Sequence, residues 1–232
     1  MAMQPISVTP ILIEQIHLRL VDAIADGTLA PGERVTQQDL AARFGVSRQP
    51  ISHALQLLRR QELVVEHGKR GLAVAEIEPK RISDLFQLRG ALDGLASRLA
   101  AARVASGALT PRETARLRER FAAGLALAEA ASGIHAWIEA DIAFHTCIYD
   151  LSGNPTIAET IALQWPHFKR CMGFVLADPA RRFEIWRGEH AAIVGSILNG
   201  DVATALRAAE EHMLRAGANV YARLEEKADA LR

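Results

Sequence analysis

Four side chains in the second half of the chain have the types and spacing of a metal site. Asp141 and His145 are four residues apart, so on a helix both point from one face. His190 and His212 are each 11 residues from Asp201, which belongs to an Asn-Gly-Asp sequence at 199–201 that is typical of a turn between two helices. Residues equidistant from such a turn lie level, so the two histidines can meet if both face inward. One carboxylate and three imidazoles suit Zn²⁺, Ni²⁺, Mn²⁺ or Fe²⁺, although a single histidine is more often structural.

A second set of polar side chains lies near the N-terminus, on one stripe of a predicted helix. Arg48, Ser52, Gln56 and Arg59 follow one another at steps of four, four and three residues. Each can donate hydrogen bonds to phosphates or base edges, as a recognition helix in a major groove requires. An ordinary solvated face would show the same stripe, so the prediction needs a second feature.

That second feature is a predicted wing. Two short apolar runs, 63–65 and 72–74, flank a basic loop that contains glycine, which is typical of a β-hairpin. Before them, Thr36 and Ser47 are suitable N-caps for two short helices, which predicts a helix-turn-helix over about residues 36–60. Together the features favour DNA binding. The predicted DNA-contacting residues are Arg34, Thr36, Ser47, Arg48, Gln49, Ser52, His53, Gln56, His67, Lys69 and Arg70.

The overall charge hides this basic segment. The 232 residues include 27 basic and 27 acidic side chains, so the formal net charge is zero, which is unusual for a nucleic-acid-binding protein. Residues 43–70, however, hold six basic and two acidic residues, a net charge of +4. The positive charge is therefore confined to the predicted recognition helix and wing.

Composition excludes several other classes. Half of the residues are hydrophobic, which excludes a disordered polyelectrolyte. There is no uncharged apolar run of about 18 residues and no signal-peptide pattern, so we expect no membrane partner. Two cysteines, Cys147 and Cys171, form neither a disulfide framework nor a Cys-x-x-Cys metal site. We therefore expect a cytoplasmic protein.

The composition changes at residues 78–80, where long stretches rich in alanine and leucine begin. We predict a mainly α protein with a winged helix-turn-helix domain at 9–77 and a helical domain at 80–228. The second domain is predicted to be an antiparallel six-helix bundle, a fold whose core commonly holds ligand or metal sites. The predicted helices lie near 80–105, 110–131, 134–151, 155–176, 179–199 and 202–228.

The N-terminal motifs resemble a known family. The segments Pro31–Arg34, Phe44–Pro50 and His67–Lys69 closely resemble the winged helix of GntR-family transcriptional regulators, over about residues 9–76. The resemblance implies that Arg48 occupies the family's main DNA-contacting arginine position. Ser52-His53 stands where the family has an Arg-Glu pair, so we expect the fold to be kept and the operator to be non-standard.

The C-terminal motifs resemble the FCD effector domain of the FadR-like branch, and the six predicted helices fit its VanR-like subgroup. The resemblance implies that the metal ligands are Asp141, His145, His190 and His212, which all match. It also implies a small carboxylate effector, with Arg89 at a position that often faces the cavity. Trp165 and Arg170 are weaker effector-binding candidates. His135 and His167 match no ligand position.

The hypothesis that joins these features is a ligand-responsive bacterial regulator with no catalytic residues. A homodimer would bind a palindromic operator in double-stranded DNA, because a two-fold protein selects a two-fold site. One alternative is a metal-dependent, hydrolase-like enzyme that activates water at the Asp/His site. It lacks an evident general base, since Glu189 and Glu211 each precede a ligand and would point about 100° away on an α-helix. Another alternative is a helical dimer whose metal is purely structural.

Overall fold

The computed structural model describes residues 10–68, 71–130, 133–175 and 179–230. The chain divides into two compact units, residues 1–77 and 78–232. Within the described ranges, no helix combines the length and the apolar character that a membrane span requires.

The first unit is a winged helix-turn-helix. Its core forms where Ile16, Leu20 and Ile24 of the first helix pack on the buried face of the recognition helix, which includes Ile51 and Leu58. The predicted fold is confirmed here. The elements are α1 (Pro10–Ala25), β1 (Arg34–Val35), α2 (Gln37–Phe44), α3 (Arg48–Arg60), β2 (Val64–His67) and β3 (Gly71–Val74).

The wing contains a strand that the sequence did not reveal. The predicted hairpin is present, with β2 antiparallel to β3 and Val65 opposite Ala73. A third strand, β1, pairs with the other edge of β3 and places Arg34 opposite Ala73. With only two residues, β1 is too short to show the alternation by which a strand is predicted.

Capping explains where the two central helices begin. The Asp39 amide donates to Thr36 Oγ1 over 3.1 Å at the start of α2, as predicted. Ser47 occupies the N-cap position of α3, as predicted, although its side chain makes no capping hydrogen bond. Pro50 lies in the first turn of α3, where its missing N–H has no helical partner to lose.

The second unit is helical, as predicted. Its core is aliphatic and aromatic, and includes Phe144, Ile148, Trp186 and Ile193. The helices are α4 (Pro79–Ala105), α5 (Pro111–Glu129), α6 (Ile134–Ser152), α7 (Pro155–Ala162), α8 (Trp165–Val175), α9 (Pro179–Glu184), α10 (Ala191–Leu198) and α11 (Val202–Ala230), with a π-helical segment (Ile185–His190) between α9 and α10.

Two predicted helices are interrupted. The helix predicted over 155–176 is divided into α7 and α8, because Pro166 lacks the N–H that an uninterrupted helix would need there. The helix predicted over 179–199 contains the π-helical segment, a form that is rare and frequent at functional sites. Neither interruption alters the predicted class of fold.

Two glycines allow neighbouring helices of the second unit to pack closely. A Cβ atom at Gly94 of α4 would lie 2.7 Å from Glu210 Cγ of α11. A Cβ atom at Gly124 of α5 would lie 2.0 Å from the indole of Trp186 in the π-helical segment. These glycines let α4 pack close to α11, and α5 pack close to the π-helical segment.

Candidate DNA-binding surface and metal centre

The recognition helix α3 exposes the polar stripe that the sequence predicts. Arg48, Gln49, His53 and Gln56 are exposed and Ser52 is half-buried. The opposite face is buried in the core of the winged-helix unit. The polar side chains therefore face solvent, while the core of the winged-helix unit holds the opposite face of α3 in place.

Contacts between α2 and α3 hold part of this stripe in place. Arg48 donates to Gln38 Oε1 over 3.2 Å, and Gln37 donates to Ser52 Oγ over 3.4 Å. Thr36 Oγ1 accepts from the Asp39 amide and donates to Asp39 Oδ2 over 2.7 Å. Thr36 is thus already used in fixing the start of α2.

The N-terminus of α3 suits an anion. Its first turn contains no acidic residue, and Ser47 makes no capping bond with its side chain. The N–H groups at the start of a helix and the helix dipole together favour a phosphate. Ser47, Arg48 and Gln49 all lie at this exposed end.

The wing side of the surface is more mixed in charge. Arg34 on β1 and His67 at the end of β2 are exposed. Lys69 and Arg70, both predicted to contact DNA, lie outside the described residues. Arg59 of α3 pairs with Glu66 of β2 over 2.6 Å, which places an acidic group beside the basic stripe.

In the helical unit, three of the four predicted metal ligands, His145, His190 and His212, form one compact group, and Asp141 lies beside it. His190 Nε2 lies 3.1 Å from His212 Nε2 and 3.5 Å from Asp141 Oδ1. His145 Nε2 lies 3.9 Å from Asp141 Oδ2. The three histidines each offer a ring nitrogen within 4.8 Å of the others, and all are buried. Metal–nitrogen bonds of 2.0–2.1 Å would place tetrahedral donors roughly 3.3 Å apart. The contacts of His190 with His212 and Asp141 are close to this spacing, and the longer contact of His145 would have to shorten around an ion.

Unpaired nitrogen atoms also fit a cation. His145 Nε2 is buried and has no hydrogen-bond partner among the described residues. Burial lowers the pKa of His190 well below its usual value, and His212 and His145 push it the same way. Burial also lowers the pKa of His212, despite its contact with Glu189. Neutral imidazoles are the form that binds metals.

Two carboxylates that the sequence did not assign lie behind the histidines. Asp93 Oδ2 of α4 is 3.1 Å from His145 Nδ1. Glu189 Oε2 is 2.6 Å from His212 Nδ1. Carboxylates in this position orient histidine ligands. Glu189 was expected to point away from the neighbouring ligand, His190, but its carboxylate reaches His212 on α11.

These carboxylates are held in the charged state. Burial alone would raise the pKa of Asp93, but Arg89, His145 and the Tyr149 hydroxyl together lower it. Burial would likewise raise the pKa of Glu189, but His212, Arg215 and Arg181 lower it. Both carboxylates can therefore accept a hydrogen bond from a histidine ring N–H at neutral pH.

A cavity adjoins the cluster. Its free space is about 490 Å³, open solvent at its mouth included. Asp141, His212, Arg89 and Glu189 line it, and most of the remaining wall is apolar. The other lining residues are Phe86, Trp137, Met172, Arg181, Ile185, Met213, Ala216, Asn219 and Val220.

Arg89 is the buried cation of this cavity. Its side chain is 2% exposed, and its guanidinium carbon lies 4.5 Å from the Trp165 ring centroid and 4.9 Å from that of Phe168. Trp165 and Arg170 are not among the described residues that line the cavity, and Trp165 meets it through Arg89. An arginine held by stacking keeps its donors for a carboxylate.

The remaining histidines of the helical unit lie apart from the cluster. His135 is exposed and His167 is buried. Among the described residues, the candidate metal group contains only His145, His190 and His212 of the histidines. The interpretation of His135 and His167 as surface or structural residues is consistent with these positions.

Comparison with known proteins matches both units to family models. Residues 84–215 match the FCD domain model, which covers more than half of the chain. Residues 12–74 match the model described as bacterial regulatory proteins, gntR family.

Curated relatives are transcriptional regulators. An HTH-type transcriptional regulator in an unstable DNA locus of Streptomyces ambofaciens is 28% identical over 206 residues, 85% of this chain and 80% of that protein. The Nta operon transcriptional regulator of Aminobacter aminovorans is 30% identical over 131 residues, 56% of this chain and 59% of that protein.

Solved structures share the fold. McbR/YncC of E. coli has a TM-score of 0.77 and 22% identity, covering 95% of this chain and 100% of that one. A GntR transcriptional regulator from Rhodococcus sp. RHA1 has a TM-score of 0.69 and 22% identity, covering 90% and 96%.

Proposed function

The chain belongs to the GntR family of regulators and carries an FCD domain, and from that premise we propose how a metal and an acid control its DNA binding. It is a DNA-binding transcriptional regulator, and its family and relatives are not enzymes. We assign DNA binding to residues 9–77 and effector binding to residues 80–228.

The proposed metal ligands are Asp141, His145, His190 and His212. The observation that supports this assignment is the group of three buried imidazoles whose ring nitrogens lie within 4.8 Å of one another, with Asp141 at 3.5 Å from His190 and 3.9 Å from His145. Zn²⁺, Ni²⁺, Mn²⁺ and Fe²⁺ all accept such donors. When bound, the ion would supply a positive charge beside the cavity that Asp141 and His212 line.

The proposed effector is a small carboxylic acid with an apolar body. Its carboxylate would pair with Arg89 beside the metal, and its body would lie against apolar walls such as Phe86, Met172 and Val220. Trp165 would position Arg89, and Arg170, buried on the same helix, stays a candidate for a supporting role. Binding would favour one placement of the DNA-binding units over another, with a coupling of about 1–3 kcal/mol.

The proposed DNA target is a palindromic operator bound by a homodimer. Arg48, Gln49, Ser52, His53 and Gln56 would read or position the DNA from α3. Helices α4 and α11 pack together, and each exposes large apolar side chains, Leu88 on α4 and Leu214 and Tyr221 on α11, which supports association through the helical unit. If a Leu214→Glu variant stays dimeric by light scattering, α11 does not form this interface.

Metal content tests the centre directly. Elemental analysis of the purified chain should find about one divalent ion per chain, and the paired substitution of His145 and His190 by Ala should abolish it. His135→Ala is the matched control and should keep the metal. Equal metal content in all three proteins would refute the assignment.

An acid titration tests the effector site. Benzoate should bind the metal-loaded chain saturably and change its affinity for DNA, whereas benzamide, which has the same shape and no charge, should not. Binding of benzoate should be lost in Arg89→Met. Metal that binds without any response to acids would support a purely structural ion.

A further inference from the structure

Asp93 lies between the effector position and the metal centre. It follows Arg89 by one turn of α4, and its side chain is buried. Its Oδ1 atom accepts a hydrogen bond from the Tyr149 hydroxyl over 2.5 Å. Its Oδ2 atom lies 3.1 Å from His145 Nδ1 and 3.6 Å from Arg89 Nε. One oxygen therefore faces two buried donors.

Neither donor is fully satisfied by this oxygen. Asp93 Oδ2 and Arg89 Nε are both without an aligned hydrogen bond among the described residues, and so is Arg89 Nη2. Buried polar groups are normally paired, so a shared acceptor with two incomplete contacts calls for an explanation. Arg89 lines the cavity, so a ligand bound there could supply the acceptor that its guanidinium lacks.

We propose that Asp93 links acid binding to metal binding by dividing its Oδ2 atom between Arg89 and His145. An acid that pairs with Arg89 releases Oδ2 to His145, and a metal on His145 Nε2 draws Oδ2 away from Arg89. This link rests on the proposed function of the same site. Asp93 is a positioning residue, since it acts on the metal through His145.

The physical basis is the effect of a carboxylate on a histidine ligand. A carboxylate on Nδ1–H fixes the tautomer and makes Nε2 a better donor to the metal. If the acid strengthens that contact, the metal must strengthen acid binding by the same factor, because coupling between two sites is reciprocal.

In the other carboxylate–histidine pair, Glu189–His212, the oxygen that contacts the histidine is not shared with an arginine. Glu189 uses Oε2 for His212 over 2.6 Å and its other oxygen, Oε1, for Arg181 and Arg215. Each oxygen has its own partners, so a change at either arginine leaves the His212 contact intact. Of the two pairs, Asp93–His145 is therefore the one that can transmit the state of an arginine.

A cycle of variants tests the link with Zn²⁺ alone. Zinc affinity is measured at pH 8 by competition with a chromophoric chelator for the wild type, Arg89→Met, Asp93→Asn and the double variant. Asp93→Asn should weaken binding roughly 10–100-fold. Arg89→Met, which removes the competitor for Oδ2, should strengthen binding by about fivefold or more. In the Asp93→Asn background, Arg89→Met should raise zinc affinity by less than about a third of the factor that it gives in the wild type.

Equal effects of Arg89→Met in both backgrounds would overturn the link, since they would show direct repulsion between the guanidinium and the ion. Wild-type zinc affinity in Asp93→Asn would overturn it as well. A wild-type chain that binds no zinc would instead refute the proposed metal centre, and the link with it.

Further variants separate positioning from general damage to the fold. Tyr149→Phe removes the donor to Asp93 Oδ1 together with a contact to Arg89, and should weaken zinc binding in the same direction as Asp93→Asn by a smaller factor. Asp150→Asn, on the same helix but paired with exposed Arg116, should leave zinc affinity unchanged. The visible absorption spectrum of the Co²⁺-loaded chain should shift in Asp93→Asn and stay constant in Asp150→Asn. A constant Co²⁺ spectrum in Asp93→Asn, with native circular dichroism, would argue against the link.

Discussion

Arg48 and Arg59 of the winged-helix unit lie at the surface, whereas Arg89 and Asp93 of the helical unit are almost wholly buried. The first pair contacts single neighbours in exposed positions, and the second belongs to a network that reaches three other helices, α6, α8 and α11, through Tyr149, Trp165 and the histidines. Surface groups stay available to a large partner such as DNA. Buried groups can only be satisfied by one another or by a ligand of the right charge and size.

This difference predicts that the buried site is the more sensitive to packing. Gly124→Ala places a methyl group about where the indole of Trp186 lies, and Trp186 contacts the His190 ring at a centroid distance of 4.4 Å. We expect a loss of about 3 kcal/mol in the free energy of unfolding and weaker zinc binding. Urea unfolding and chelator competition measure the two effects.

Gly195→Ala is the matched control for this change. Gly195 lies in α10, and a Cβ atom there would meet nothing within 4 Å. The substitution should stabilise the chain by roughly 0.5–1 kcal/mol, the usual gain for alanine over glycine in a helix. If both variants had the same stability, the packing argument for Trp186 and His190 would be wrong.

In the surface site, a single side chain should affect DNA binding without affecting stability. Arg48→Ala should weaken binding to an operator selected from random duplexes by about 1–3 kcal/mol, with an unchanged unfolding transition. Fluorescence anisotropy measures the affinity. Arg112→Ala removes an exposed arginine of the helical unit and should bind the operator like the wild type; an equal loss in both variants would refute the role of Arg48.

The two regions also differ in how far the sequence could predict them. Periodicity and caps are local, so α3, its polar stripe and the Thr36 cap follow from residues that are close in sequence. The pairing of His190 with His212 was also accessible, because the turn at 199–201 sets their level. The contact of Asp93 with His145 could not be predicted in this way, because the two residues are 52 positions apart and no single turn connects their helices. Glu189 was misjudged because it was considered only relative to its neighbour His190, although it lies level with His212 across the same turn.

Local backbone strain in the winged-helix unit provides a smaller test. Glu62 ends α3 in a left-handed conformation, with φ of 56°, and its amide and that of Leu63 bond back to Arg59 and Leu58. Glycine adopts this conformation at such helix ends with little strain. Glu62→Gly should stabilise the chain by about 0.5–1 kcal/mol in thermal unfolding. Arg19→Gly, in the exposed middle of α1, should instead destabilise it by about 1 kcal/mol.

The smallest expected effect concerns the acidic residue within the basic surface. Glu66 holds Arg59 at 2.6 Å, so it removes one positive charge from the surface that faces phosphates. Glu66→Gln should raise affinity for a non-operator duplex about threefold and steepen the dependence on salt by about one unit, because one more cation would displace a counterion. Anisotropy titrations at several salt concentrations measure both quantities. Glu129→Gln makes the same change in net charge on the helical unit. If it gave the same gain, net charge would control non-specific binding, and the local pairing of Arg59 with Glu66 would have no part in it.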